Sequence, residues 1–129
     1  MPATEVVYYQ ERDGSVPVLE YLATVGKKDR RPLVKCWTRL DALRELGHEL
    51  RRPVADYLRD GIYELRIQAG RVQHRLLYFF HGKDVVILVH GLTKERQVPN
   101  LEIERAVERK RRFDRAPLEH AFRMDMTNG

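Results

Sequence analysis

The spacing of apolar and polar positions along the chain predicts a succession of elements, because helices repeat every 3.6 residues and strands every two. Residues Glu5–Tyr9 are rich in Val and Tyr and run toward Asp13-Gly14, a turn signal, so a first strand is expected there. Residues 18–22 suit a short apolar helix, with Ser15 as its cap and Pro17 in its first turn. Over 28–46, Leu33, Trp37, Leu40, Leu43 and Leu46 recur at steps of three and four, which lays them along one face of an amphipathic helix that Gly47 ends. Between Gly61 and Gly91 the period becomes that of extended chain. Three β-rich runs, 62–68, 72–80 and 85–90, are separated by Ala69-Gly70-Arg71 and His81-Gly82-Lys83-Asp84, loops short enough for antiparallel hairpins. The last run is almost wholly apolar, as expected of a strand buried on both faces. Asn100 is placed to cap a final helix over 101–113, whose later turns carry Arg105, Arg109, Lys110, Arg111 and Arg112.

The order β-α-α-β-β-β-α predicts a single compact α+β domain, with a mostly antiparallel sheet and helices packed on one face. The other face is then expected to be a working surface. The domain is expected over residues 1–113, with 114–129 a C-terminal tail, disordered or an added contact, because periodicity fades after Asp114.

Composition narrows the function classes. At 129 residues, 43% hydrophobic and 33% charged, the chain is too apolar for a disordered protein and too charged for a membrane protein. A formal charge of +5 favours a polyanionic partner without identifying it. Cys36 is the only cysteine and forms no internal disulfide, and no stretch approaches the roughly 20 apolar residues of a membrane span, so a cytoplasmic location without membrane contact is expected.

Strand alternation decides which side chains share a surface. Tyr63, Leu65 and Ile67 make one face of their strand and Glu64, Arg66 and Gln68 the other. In the next strand Arg75 and His74 point opposite ways, so Arg75 joins Arg66 if the register allows. Lys94 and Arg96 follow the third strand in a loop. A cluster of Arg66, Arg75, Lys94 and Arg96 suits a phosphodiester, since guanidinium groups grip phosphate and offset the charge of a pentacoordinate transition state. A lysine crowded by cations releases its proton more readily, which makes Lys94 the candidate for proton exchange and Glu64 a weaker candidate base. Strand arginines are nonetheless more often ion-pair partners than catalysts. His74 and His90 lie within apolar strands, where structural histidines are the commoner case. Phosphate loops, nucleophile elbows and zinc-binding motifs are missing from the sequence, so neither a metal nor a cofactor is expected.

The segments Leu58-Arg59-Asp60-Gly61-Ile62-Tyr63-Glu64-Leu65-Arg66, His74-Arg75-Leu76-Leu77-Tyr78-Phe79 and His90-Gly91-Leu92-Thr93-Lys94-Glu95-Arg96-Gln97-Val98-Pro99 together resemble the HigB-type, phage-related branch of the RelE/ParE toxin superfamily. The similarity extends over residues 4–112. It implies a toxin of a type II toxin–antitoxin system, an endoribonuclease that cuts mRNA on the ribosome by 2′-hydroxyl attack and inhibits translation. It also implies a cognate helix-turn-helix, HigA-like antitoxin. Arg66, Arg75 and Lys94 match the family's basic catalytic positions. Arg96, Glu64 and Gln68 are expected to contact RNA. Thr93 stands where a lysine is common and His74 where a tyrosine is usual. Two other readings compete: a ParE-like toxin, which uses the same fold to poison DNA gyrase and needs no ribonuclease site, so that a functional Arg66, Arg75 and Lys94 cluster argues against it, and a non-catalytic ribosome- or nucleic-acid-binding module whose charges serve only phosphate attraction.

Overall fold

The computed structural model describes residues 4–94 and 96–124. Strands β1 (Glu5–Tyr9), β2 (Ala55–Arg59), β3 (Ile62–Ala69), β4 (Val72–His81), β5 (Val85–Thr93) and β6 (Ala121–Phe122) form one sheet in the order β2-β3-β4-β5-β1-β6. Among the described residues four α-helices accompany it: α1 (Pro17–Val25), α2 (Arg30–Leu46), α3 (Asn100–Arg115) and α4 (Pro117–His120). Neighbouring strands are antiparallel except β1 and β5, which run parallel because the chain crosses over through α1, α2 and the β2–β4 meander before returning beside β1. No helix among the described residues is long and apolar enough to cross a membrane.

The expected meander is present, and β2 is an addition to the expected order. Its sequence, Ala-Asp-Tyr-Leu-Arg, carries two charges in five residues and lacks an apolar run, which suits an edge strand. Asp60 and Gly61 both have positive φ, 52° and 83°, and make the tight turn that folds β2 back on β3. An Asp-Gly pair between extended segments is a strong hairpin signal.

The expectation of helices on one face fails. Val18 and Leu22 of α1 and Cys36, Leu40 and Leu43 of α2 pack with Leu65, Ile67, Leu76, Tyr78, Val86 and Leu88 on one side of the sheet. Ile103, Ala106, Val107 and Phe113 of α3 pack with Ile62, Leu77, Phe79, Ile87 and Val89 on the other. The cause lies in β5, whose alternate residues are apolar in both directions and need cover on both sides. Helix α3 covers only part of its face, and the site described below occupies the rest.

Details at the helix ends also differ from expectation. Helix α1 starts at Pro17 without a side-chain cap, because Val16 holds the cap position; Ser15 lies one residue earlier, and its hydroxyl donates to Asp13 Oδ1 (2.7 Å). In α2 the buried stripe includes Cys36, and Leu46 lies outside it at 44% exposure. Asn100 is the first residue of α3 rather than its cap. The expected boundary at residue 113 falls inside α3. Beyond α3 the chain forms α4 and then β6, which pairs with β1 while the His120 ring stacks on Tyr9 at 5.0 Å. Residues 125–129 of the expected tail lie outside the described residues.

Candidate functional site

Register on the polar end of β3 and β4 sets the site. Arg66 lies directly opposite Arg75, and Glu64 lies one alternate position along β3 from Arg66. Two guanidinium groups side by side repel, and a carboxylate between them resolves the conflict. Glu64, only 1% exposed, accepts two hydrogen bonds from Arg75 Nη1, both at 2.9 Å, and one from Arg66 Nε. Arg66 Nη2 reaches Asp56 Oδ2 on β2 (3.4 Å), and Arg52 Nε approaches the same oxygen (3.0 Å). The result is a chain of alternating charge, Arg52, Asp56, Arg66, Glu64 and Arg75, running from the sheet edge inward. Hydrogen bonding and charge from Arg52, against a desolvation cost, hold the Asp56 carboxyl below the usual carboxylate range.

Asp56, Arg66, Glu64 and Arg75 floor a cleft of about 450 Å³, lined also by Arg96, Val98 and Ile103. One wall is β2, and the other is the segment leading into α3. Arg59 ties them together, its Nη2 donating to Asn100 Oδ1 (2.5 Å) and Glu104 Oε1 (2.7 Å), and that bond occupies the side chain expected to cap α3. Arg96 is exposed and lines the cleft. Lys94 is exposed at its side chain and held at its backbone, with its N–H donating to Gln73 O (3.1 Å) and its carbonyl accepting from Arg75 Nε (3.4 Å). Glu64, Arg66, Arg75 and Arg96 are therefore brought together, and Lys94 stands beside them. Gln68 is not: it is exposed at the far end of β3, bonded to Gln73 and Gly70.

Glu64 is not available as a base. Its oxygens are committed to two arginines and shielded from solvent, so its role in this arrangement is to hold the cations in place. The sequence places it on the right face but carries no sign of its burial.

A residue the sequence reading missed fixes the chain just before Lys94. The Tyr21 hydroxyl, from α1 on the opposite side of the sheet, donates to Leu92 O (3.0 Å) and lies 2.7 Å from His74 Nδ1 and 2.8 Å from Thr93 Oγ1. Its ring lies against Gly91, where any Cβ would come within 2.5 Å of it. A glycine inside an apolar strand marks such a close approach and was the available signal.

Neither tempting histidine reaches the cleft. His74 is 7% exposed beneath α1, and burial pushes its pKa below 6.5. His90 sits under α3, where Arg109 Nη1 donates to its Nδ1 (3.0 Å); its proton is therefore on Nε2, donating to Glu102 Oε2 (3.0 Å). Burial again lowers the pKa, more than Glu102 raises it. The Cys36 thiol is fully buried and pushed up to about 11, far from a reactive thiolate. No group of three or more His, Cys, Asp or Glu able to hold a metal occurs among the described residues. A larger cleft, about 670 Å³, lies near α4, and four of its charged side chains pair with one another, Arg12 with Glu119 (3.5 Å) and Arg112 with Glu11 (3.7 Å).

The model of the phage-derived protein Gp49-like family (DUF891) matches residues 20–111. The chain belongs to that family. Gp49-like proteins are a RelE-like toxin family associated with toxin–antitoxin systems, and a toxin of this kind implies an antitoxin partner. The Gp49-like region holds the whole alternating chain from Arg52 to Arg75, as well as Tyr21, Lys94 and Arg96. No curated protein matches the chain at a significant level.

Proposed function

We propose that this Gp49-like protein is a HigB-type toxin, a cytoplasmic endoribonuclease that cuts mRNA on the ribosome and is silenced by a helix-turn-helix antitoxin. The observation that carries this reading is the pairing of Arg66 and Arg75 at the floor of an open cleft, held by one buried carboxylate and joined by Arg96. Three arginines against Glu64 and the partly shared Asp56 leave a local excess of positive charge where a phosphodiester fits. Guanidinium groups in fixed positions stabilise the charge that builds on the non-bridging oxygens, and they need no reorganisation at the moment of reaction.

The reaction is a transesterification within the RNA. The ribose 2′-oxygen attacks phosphorus, the bond to the 5′-oxygen breaks, and the products are a 2′,3′-cyclic phosphate and a 5′-hydroxyl. One proton leaves the 2′-hydroxyl and one arrives at the 5′-oxygen, so no metal is required. In this reading Lys94 exchanges the proton: it is exposed, and its backbone is anchored to β4 beside Arg75. Glu64, Arg66 and Arg75 position and stabilise. Gln68 has no part in this reading.

Expression of the chain should arrest growth and translation, with transcripts cut inside codons and ending in cyclic phosphates. Arg75→Lys and Lys94→Ala should each lower cleavage by about 100-fold or more while the far-ultraviolet circular dichroism stays unchanged. Full toxicity in both variants would sink the catalytic reading.

A further inference from the structure

The edge strand β2 separates two clefts. One is the arginine-floored cleft described above. The other, about 530 Å³, lies on the opposite side of the strand and is lined by His48, Leu50, Arg51, Arg52, Tyr57 and Tyr63, with Asp56 and Tyr57 common to both. Tyr57 is 52% exposed and is the one aromatic among the exposed large apolar side chains of the described residues. Its ring is braced: the hydroxyl accepts the Gly61 N–H (3.1 Å), and the Tyr63 ring meets it edge to face at 5.0 Å. Tyr63 in turn stacks on Tyr78 at 5.4 Å, which anchors the pair to the core. Such a ring loses little freedom when a flat ligand covers it.

Cations flank the ring. Arg51 is exposed and makes no ion pair among the described residues. The Arg52 side chain is 77% exposed and bridges to Asp56, which also touches Arg66 in the first cleft. A fixed aromatic face beside two arginines, continuous with a cluster suited to phosphate, is the chemistry that receives single-stranded nucleic acid.

We propose that Tyr57 is a stacking platform for a nucleobase of single-stranded RNA, with Arg51 and Arg52 holding the adjoining phosphate. An RNA strand whose scissile phosphate lies over Arg66 and Arg75 then continues across the short β2 edge onto this second cleft. This inference rests on the RNA-cleaving reading above.

The test uses the full chain and fluorescein-labelled RNAs with 2′-O-methyl riboses, which bind without being cut. A decanucleotide should bind Tyr57→Ala about 10-fold more weakly than the unaltered protein. Tyr57→Phe, which keeps the ring, should bind within about two-fold of it. An abasic decanucleotide of the same charge, with no base to stack, should bind the unaltered protein and Tyr57→Ala alike. Equal binding of the base-bearing decanucleotide by Tyr57→Ala overturns the platform, as does an equal loss for both RNAs. A loss of antitoxin binding with RNA binding intact also overturns it and marks the β2 edge as a protein-docking edge. Arg96→Ala keeps the two readings apart: if it weakens RNA binding and Tyr57→Ala does not, the platform falls and the cleft stands. If the unaltered protein binds neither RNA, both fall.

Discussion

Two networks of carboxylate and cation lie on the same face of the sheet, and they differ in what covers them. In one, Glu102 and Arg109 hold His90 from both sides, Arg109 Nη1 also donates to Val89 O (2.8 Å), and the Arg109 guanidinium lies 5.9 Å from the centre of the Tyr9 ring. In the other, Glu64 holds Arg66 and Arg75. The residue types are those of acid–base or phosphate chemistry in both cases. Helix α3 covers the first network, where both ring nitrogens of His90 find a protein partner and the His90 side chain is 12% exposed. The second lies ahead of the first turn of α3 and opens into a cleft. Access, rather than the presence of a histidine or an arginine, separates a structural polar cluster from a candidate site.

The largest expected difference between the networks is in stability. Glu64→Ala leaves the nearly buried Arg75 without its counter-charge and should cost about 3–5 kcal/mol in urea unfolding. Glu102→Ala, whose side chain is 25% exposed, should cost about 1 kcal/mol. Equal losses would break the comparison. In function the contrast should be nearly as large. Arg66→Ala should lower mRNA cleavage by about 100-fold, whereas His90→Gln should leave it within a few-fold in a reconstituted translation assay.

A smaller effect concerns pH. Burial lowers the pKa of both His90 and His74 from 6.5, so the folded protein binds fewer protons than the unfolded chain once the pH falls to that value. Stability is therefore held above about pH 6.5 and lost as the pH falls below it. Urea midpoints should drop between pH 7.5 and 5.5, and His90→Gln should flatten the dependence. The smallest expected change is that of Tyr21→Phe. It removes one hydroxyl, should cost about 1 kcal/mol, and should speed amide exchange at Thr93 and Lys94 while the α3 amides keep their protection.

How much of this was legible in the sequence varied by element. Strands β3 to β5 and the facing of Arg66 and Arg75 follow from two-residue alternation and short turns, which are local. The second helical layer does not follow from the pattern of α3 alone, although the two-sided apolarity of Val86, Ile87, Leu88 and Val89 already demanded it. Strand β2 is hidden because an edge strand carries charges, and its one clear signal was Asp60-Gly61. The register shift opposite Leu77 and Tyr78, which turns both Val89 and His90 toward α3, has no sequence mark. Among site residues, the strand arginines were found by type and face. The burial of Glu64 and the distance of Gln68 from the cleft depend on contacts between segments that spacing does not encode.

The pairing of β1 has a consequence for the order of events during synthesis. Strand β1 leaves the ribosome first, yet one of its partners is β5 and the other is β6, near the far end of the described chain. The β2–β5 meander closes through near neighbours and is able to form early, while β1 must wait for residues made long after it. The sheet is complete only when Ala121–Phe122 reaches β1, so a partly made chain lacks its last strand.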